Sequence, residues 1–123
     1  MPSFEAILAV AQKYFDALYT GNVDIFAEIF HPQARLFSAT AGTMTVMNLP
    51  EYLALVLARE APAARGDTRM DVVISVSVAS PTTAHLRVRD RLEKRSFTDD
   101  LTLVFVDGSW RIVAKVWHVD LFS

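Results

Sequence analysis

Asp99-Asp100-Leu101-Thr102-Leu103-Val104-Phe105-Val106, then Asp107-Gly108, then Ser109-Trp110-Arg111-Ile112-Val113-Ala114-Lys115-Val116-Trp117-His118, reads as a β-hairpin. An Asp-Gly pair between two runs rich in β-branched and aromatic residues is a strong signal for a tight turn. Upstream, Ala84, Leu86, Val88, Asp90 and Leu92 alternate with His85, Arg87, Arg89, Arg91 and Glu93. Ala84 to Val119 therefore predicts three consecutive strands of one antiparallel sheet. Met70 to Val78 predicts a further strand, with Val72, Ile74, Val76 and Val78 on one face.

Strand side chains repeat every two residues, so a slip of one residue sends each to the wrong face and the register can be tested. A two-residue turn at Asp107-Gly108 sets Phe105 opposite Trp110, Leu103 opposite Ile112 and Leu101 opposite Ala114, all apolar. Continued without interruption, it sets Asp99 opposite Val116 and Phe97 opposite His118. Closing the preceding hairpin around Lys94-Arg95 sets Leu92 opposite Phe97, Val88 opposite Leu101 and Leu86 opposite Leu103. On the reverse face Asp100 then falls between Arg89 and Lys115, a charge pattern consistent with the register. On the apolar face Asp90 lies opposite Asp99, with His118 one pair further along. Two facing carboxylates on a half-buried face are tolerated if one is protonated, if a cation sits between them, or if that end of the sheet is wet.

The N-terminal half reads as helices. Phe4, Ile7, Leu8, Ala11, Phe15 and Leu18 recur at helical spacing over Ser3 to Thr20, with Ser3 as cap and Gly21 as stop. Asn22 caps a short helix over Val23 to Phe30, ended by His31-Pro32. Arg35 to Val46 reads as two short strands around a turn. Asn48-Leu49-Pro50-Glu51 resembles a capping box opening a third helix to about Ala61, followed by a break from Pro62 to Gly66. Helices followed by a meander predict an α+β fold, with three N-terminal helices packed on a curved, mostly antiparallel sheet.

With 123 residues, 52% of them hydrophobic and 21% charged, the chain reads as one globular domain over residues 1–123. A net charge of −2 argues against nucleic acid or an anionic membrane as partner. The chain has no cysteine, which excludes disulfides, thiolate metal sites and a Cys nucleophile. The start Met1-Pro2-Ser3-Phe4-Glu5 lacks a basic signal-peptide region and no apolar run spans a bilayer, so a soluble cytoplasmic protein is expected.

Tyr19-Thr20-Gly21-Asn22-Val23, Ile29-Phe30-His31-Pro32-Gln33-Ala34, and Phe97-Thr98-Asp99-Asp100-Leu101-Thr102-Leu103 with Asp107-Gly108-Ser109-Trp110-Arg111-Ile112-Val113 resemble the nuclear transport factor two-like superfamily. The last block most resembles its branch labelled "putative lumazine-binding", near the polyketide-cyclase-like (SnoaL-like) members. The resemblance covers nearly the whole chain. It implies a cystatin-like cone, a pocket between helices and the concave sheet face, and a homodimer through the other, open face. It does not imply one activity, because the superfamily mixes isomerases, dehydratases, cyclases and binders. The ketosteroid-isomerase pattern needs a base carboxylate after the second helix, and between Glu28 and Glu51 there is no acid. Tyr14 still suits donation to a ligand oxygen, as a tyrosine does in that family. A scytalone-dehydratase-like site would need a pair of histidines, and only His118 falls on the inner face.

Candidate catalytic residues are thus Asp90, Asp99 and His118, one aspartate acting as base with its pKa raised by the other. Candidate ligand-binding residues are Tyr14, Tyr52, Leu101, Leu103, Phe105 and Trp110, of which Tyr52, Phe105 and Trp110 also suit a plain core. His31 reads as a helix stop and His85 as a surface residue. Arg87, Arg89 and Arg91 share the outward face with Val73, Val104, Val113 and Trp117, a mixture that suits a dimer interface. No metal site and no cofactor are expected. Three functions fit: a binder of a small apolar or aromatic ligand, an isomerase, dehydratase or cyclase, or a dimerization module with a filled core.

Overall fold

The computed structural model describes residues 4–121. Helices α1 (Phe4–Thr20), α2 (Val23–Ile29), α3 (Leu49–Ala58) and the single turn α4 (Pro62–Arg65) accompany six strands. These are β1 (Phe30–Ser38), β2 (Thr45–Asn48), β3 (Asp71–Ser80), β4 (Thr83–Leu92), β5 (Arg95–Val106) and β6 (Ser109–Leu121). The sheet order is β2-β1-β6-β5-β4-β3. Only β1 and β6 run parallel, so the sheet is mixed. The fold is α+β, as expected, with helices α1–α3 packed on one sheet face.

Local chemistry sets the helix ends. Gly21 stops α1 at φ 71°, a conformation that a side chain would strain. The Asn22 side chain accepts from the Asp24 and Ile25 amides. Asn48 and Glu51 form a reciprocal capping box with both bonds at 2.9 Å. The expected cap at Ser3 lies outside the described residues. The second helix ends at Ile29 and the chain passes directly into β1, which carries His31 and Pro32. Helix α3 ends at Ala58, short of Ala61. The buried stripe of α1 runs through Ile7, Ala11, Tyr14 and Leu18, whereas Phe4 and Leu8 are exposed.

The core lies between this stripe and the inner sheet face. Phe26 meets Tyr52 edge-on at 5.3 Å and Tyr14 at 6.0 Å between ring centroids, and Phe30 packs on all three. Leu86, Val88, Leu101, Leu103 and Ile112 close it from the sheet side.

The register departs from the sequence expectation in three places. The β4–β5 turn closes at Glu93-Lys94, with Glu93 in the left-handed conformation at φ 57°, so Leu92 pairs with Arg95. This moves each pair by two residues and preserves the faces: Leu86 pairs with Leu101, Val88 with Asp99 and Asp90 with Phe97. Asp90 and Asp99 are diagonal neighbours rather than opposite. Asp100 is ion-paired to Arg87 at 2.7 Å and meets His85 Nε2 at 3.1 Å, and is not paired to Arg89 or Lys115.

The second departure is larger. The Asp107-Gly108 turn holds Phe105 opposite Trp110 and Leu103 opposite Ile112, but Thr102 then pairs with Ala114, leaving Val113 as an extra residue. A bulge of one residue reverses the facing of all that follows. Lys115, Trp117 and Val119 therefore point inward, opposite Leu101, Asp99 and Phe97, while Val116 and His118 point outward. A bulge in β3 at Ile74 does the same there: Val73, Val76 and Val78 face the core, and Val72 and Ile74 are exposed. Val73 and Trp117 thus leave the outward face on which the sequence placed them.

If the bulge sets these faces, Ile112→Ala should cost about 2–5 kcal/mol. Val116→Ala, on the same face in an unbroken strand, should cost within about 0.5 kcal/mol. Urea unfolding of both variants measures this, and similar losses would contradict the bulge.

Candidate functional site

The reversal in β6 assembles a buried polar cluster at the inner face. Asp99, fully buried, accepts a 2.8 Å hydrogen bond at Oδ2 from the Tyr14 hydroxyl. Lys115, with 5% exposure, donates from Nζ to the Tyr52 hydroxyl at 3.3 Å. The same ammonium lies 4.8 Å from the Tyr52 ring centroid, 5.3 Å from that of Tyr14 and 5.7 Å from that of Trp117. Aromatic faces replace part of the water that the cation loses on burial. Asp90, on the neighbouring strand, is 5% exposed.

Burial raises the Asp90 carboxyl well above the usual carboxylate range, and the charge and hydrogen bonding of Asp99 raise it further against the pull of Lys115 and Arg59. Asp90 Oδ2 and Asp99 Oδ1 have no other partner. A proton held by Asp90 and donated to Asp99 satisfies both oxygens. Burial alone would lower Lys115, but Asp99, Tyr52 and Asp90 outweigh it and hold the ammonium above its ordinary value. Burial and then the Asp99 charge raise the Tyr14 hydroxyl, which stays a donor. The cluster thus sets two carboxyl groups, Asp90 inclined toward its protonated form, beside an ammonium.

A cavity of about 290 Å³ reaches this cluster. Its polar wall is Tyr52, Arg59, Asp90, Arg95 and Lys115, and its apolar wall includes Leu18, Met47, Leu55, Phe97 and Trp117. A larger and more open hollow of about 490 Å³, lined by Arg69, Met70, Val72 and Arg89, lies on the outward face and touches none of the cluster. Among the described residues no three His, Cys, Asp or Glu side chains come together as metal ligands. None of the described helices is long and apolar enough to cross a membrane.

The structure brings together Asp90, Asp99, Tyr14 and Tyr52 from the sequence-derived candidates. Asp90 and Tyr52 line the cavity, while Tyr14 and Asp99 stand behind its wall. Leu101 and Leu103 are fully buried in the core and outside the lining. Phe105 and Trp110 meet edge-on at 5.5 Å between ring centroids and line a separate hollow beside α1. His118 is on the outward face, exposed, bonded to Asp120 at 3.1 Å and to the Thr40 hydroxyl at 3.5 Å. It stands apart from the aspartates because the bulge reverses its strand.

Lys115, Arg59, Arg95 and Trp117 are the site residues that strand alternation did not find, while Phe97, which it set on the inner face, was not among the candidates. Val113-Ala114 is apolar on both faces, so no pattern marks the reversal. The one hint was Trp117, an aromatic residue that the unbroken register placed outward.

Three helices on one face of a six-stranded open mixed sheet are the architecture of the nuclear transport factor two-like proteins with a cystatin-like fold to which this chain is similar. A structure from Silicibacter pomeroyi, described as an NTF-2 like protein of unknown function, is 27% identical with a TM-score of 0.81, covering 94% of each chain. A domain with a cystatin-like fold from Nostoc punctiforme is 20% identical, TM-score 0.74, over 96% of this chain and 77% of that one. Residues 2–118 match the family described as "Putative lumazine-binding", and the chain belongs to that family. A curated relative from Cladobotryum sp, named aldolase FrzH, is 26% identical over 120 residues, 94% of this chain and 90% of that protein.

The raised Asp90 carboxyl carries a stability prediction. The folded state binds the extra proton between the unfolded carboxyl value near 4 and the higher folded one, so this contribution is full below the former and lost as pH rises through the latter. Asp90→Asn mimics the protonated acid and lacks this loss. Its stability relative to wild type should grow with pH by up to about tenfold in the folding constant per pH unit across that window. Denaturant titrations from acid to neutral pH measure it, and a constant difference would contradict a retained proton.

Proposed function

We propose that the chain binds a small organic molecule in the cavity between α3 and the inner sheet face. The ligand's apolar body lies against Leu55, Phe97 and Trp117, and a polar group reaches Asp90 and Lys115. The observation that carries this reading is the buried Asp90–Asp99–Lys115 cluster at the wall of a cavity of about 290 Å³. Small-molecule sites are mostly apolar with a few convergent polar groups. The family description supports a flat heterocycle of the lumazine kind as occupant. A thermal-shift screen of ring compounds, lumazine included, tests it. Hits should raise Tm in wild type, and Leu55→Trp, whose indole fills the cavity, should abolish the shift. If no hit depends on Leu55, the reading fails.

Asp90 favours a second reading, proton-transfer chemistry at carbon. A base with a raised pKa beside an ammonium can remove a proton α to a carbonyl while the cation holds the developing enolate oxygen. The relative named an aldolase supports this class, since aldol chemistry passes through such an enolate. The base works deprotonated, so the rate should rise with pH through the raised Asp90 value. The readout is exchange of α-protons in D₂O, followed by NMR on ketones found to bind. Loss of at least about 100-fold in Asp90→Asn is expected for a general base. Exchange that is independent of pH and of Asp90 would exclude it.

A further inference from the structure

Charge at the cavity is unevenly distributed. Asp90 is the only acid in its lining, against Arg59, Arg95 and Lys115. Burial and Asp99 both favour the protonated form of Asp90, and Asp99 supports the Lys115 ammonium from behind the wall. The two arginines are left over. Neither has an ion pair among the described residues, whereas Arg65 meets Glu60, Asp67 and Glu93, and Arg69 meets Asp16 and Asp71.

Arg59 is the sharper case. It closes the C-terminal end of α3, where a cation is favoured by the helix dipole. That placement leaves its Nη2 buried with no hydrogen-bond partner. A guanidinium has only donors and cannot shed its proton to escape the cost. Arg95 opens β5 directly after the Glu93-Lys94 turn, with its guanidinium 6.0 Å from the Phe97 ring centroid. An acceptor is therefore missing from this part of the cavity. A carboxylate supplies two acceptor oxygens and a negative charge, and arginine forks match it.

We propose that the ligand is an organic carboxylate whose head group is held by Arg59 and Arg95, with its ring or chain against Phe97 and Trp117. This rests on the ligand-cavity reading and narrows its chemical class. The arginines select the anion, and the inner cluster is left free to meet the ligand's other end.

A matched pair of probes separates the two claims. 2-Naphthoate and 2-naphthamide share one aromatic body and differ in charge. Calorimetric titration of wild type should show naphthoate binding at least about tenfold tighter, a difference of about 1.4 kcal/mol. Arg59→Gln and Arg95→Gln should each lose at least about tenfold in naphthoate affinity while keeping naphthamide within about twofold, which also shows the variants folded. Equal affinity for both probes in wild type, or naphthoate binding indifferent to both substitutions, overturns the carboxylate assignment and leaves the cavity reading standing. Binding of neither probe, or binding unchanged in Leu55→Trp, removes the cavity reading and this inference with it.

Discussion

A lysine ammonium inside the molecule is the constraint on which the inner architecture depends. Asp99 is fully buried and Asp90 nearly so, and two unpaired buried carboxylates would each cost several kcal/mol. They are accommodated because Lys115 arrives beside them and because burial and Asp99 favour the protonated form of Asp90. Lys115 arrives only because Val113 is left unpaired in β6. Without that bulge the lysine would sit outside and Val116 would meet Asp99. One extra residue in one strand thus decides whether the sheet's inner face is charged or greasy at this end.

The cluster also ties layers together. Tyr14 reaches from α1 to Asp99 on β5, and Lys115 reaches from β6 to Tyr52 on α3. Both tyrosine rings belong to the aromatic core with Phe26 and Phe30. The same side chains are apolar packing on one side and hydrogen-bonding groups on the other. The boundary between the dry core and the cavity therefore runs through Tyr14, Tyr52, Asp99 and Lys115. The orientation of the cavity wall is fixed by the packing of α1 and α3 on the sheet.

Much of the fold was legible because its signals are local. The Asp107-Gly108 turn, the Asn48–Glu51 capping box, the Asn22 cap and the Gly21 stop each depend on a few adjacent residues, and each formed as read. The alternation of β4 correctly put Ala84, Leu86, Val88, Asp90 and Leu92 inside. The meeting of Asp90 and Asp99 survived an error in register, because a shift by two residues keeps faces. What was not legible depends on parity. Bulges at Val113 and Ile74 exchange inside for outside, and both lie in runs apolar at every position, Val72-Val73-Ile74 and Ile112-Val113-Ala114. Hence His118 was read as inward and Lys115 as outward. Arg59 and Arg95 sit at element ends, where no periodicity operates.

The cost of the buried charges bears on what they are for. A buried ion pair is weak evidence for stability, since apolar residues of similar volume often serve a core as well or better. The rest of the inner face follows that rule: Leu86, Val88, Leu101, Leu103 and Ile112 are aliphatic and fully buried. The exception is confined to the end where the sheet meets the cavity. A fold that needed only to close would put leucine there. Instead that end carries an acid inclined toward its protonated form, an ammonium and two arginines that form no ion pair among the described residues, each facing or backing the same space. Unspent hydrogen-bonding capacity of this kind is what the proposed ligand would complete, and under that proposal the sign of the surplus charge sets the group it carries.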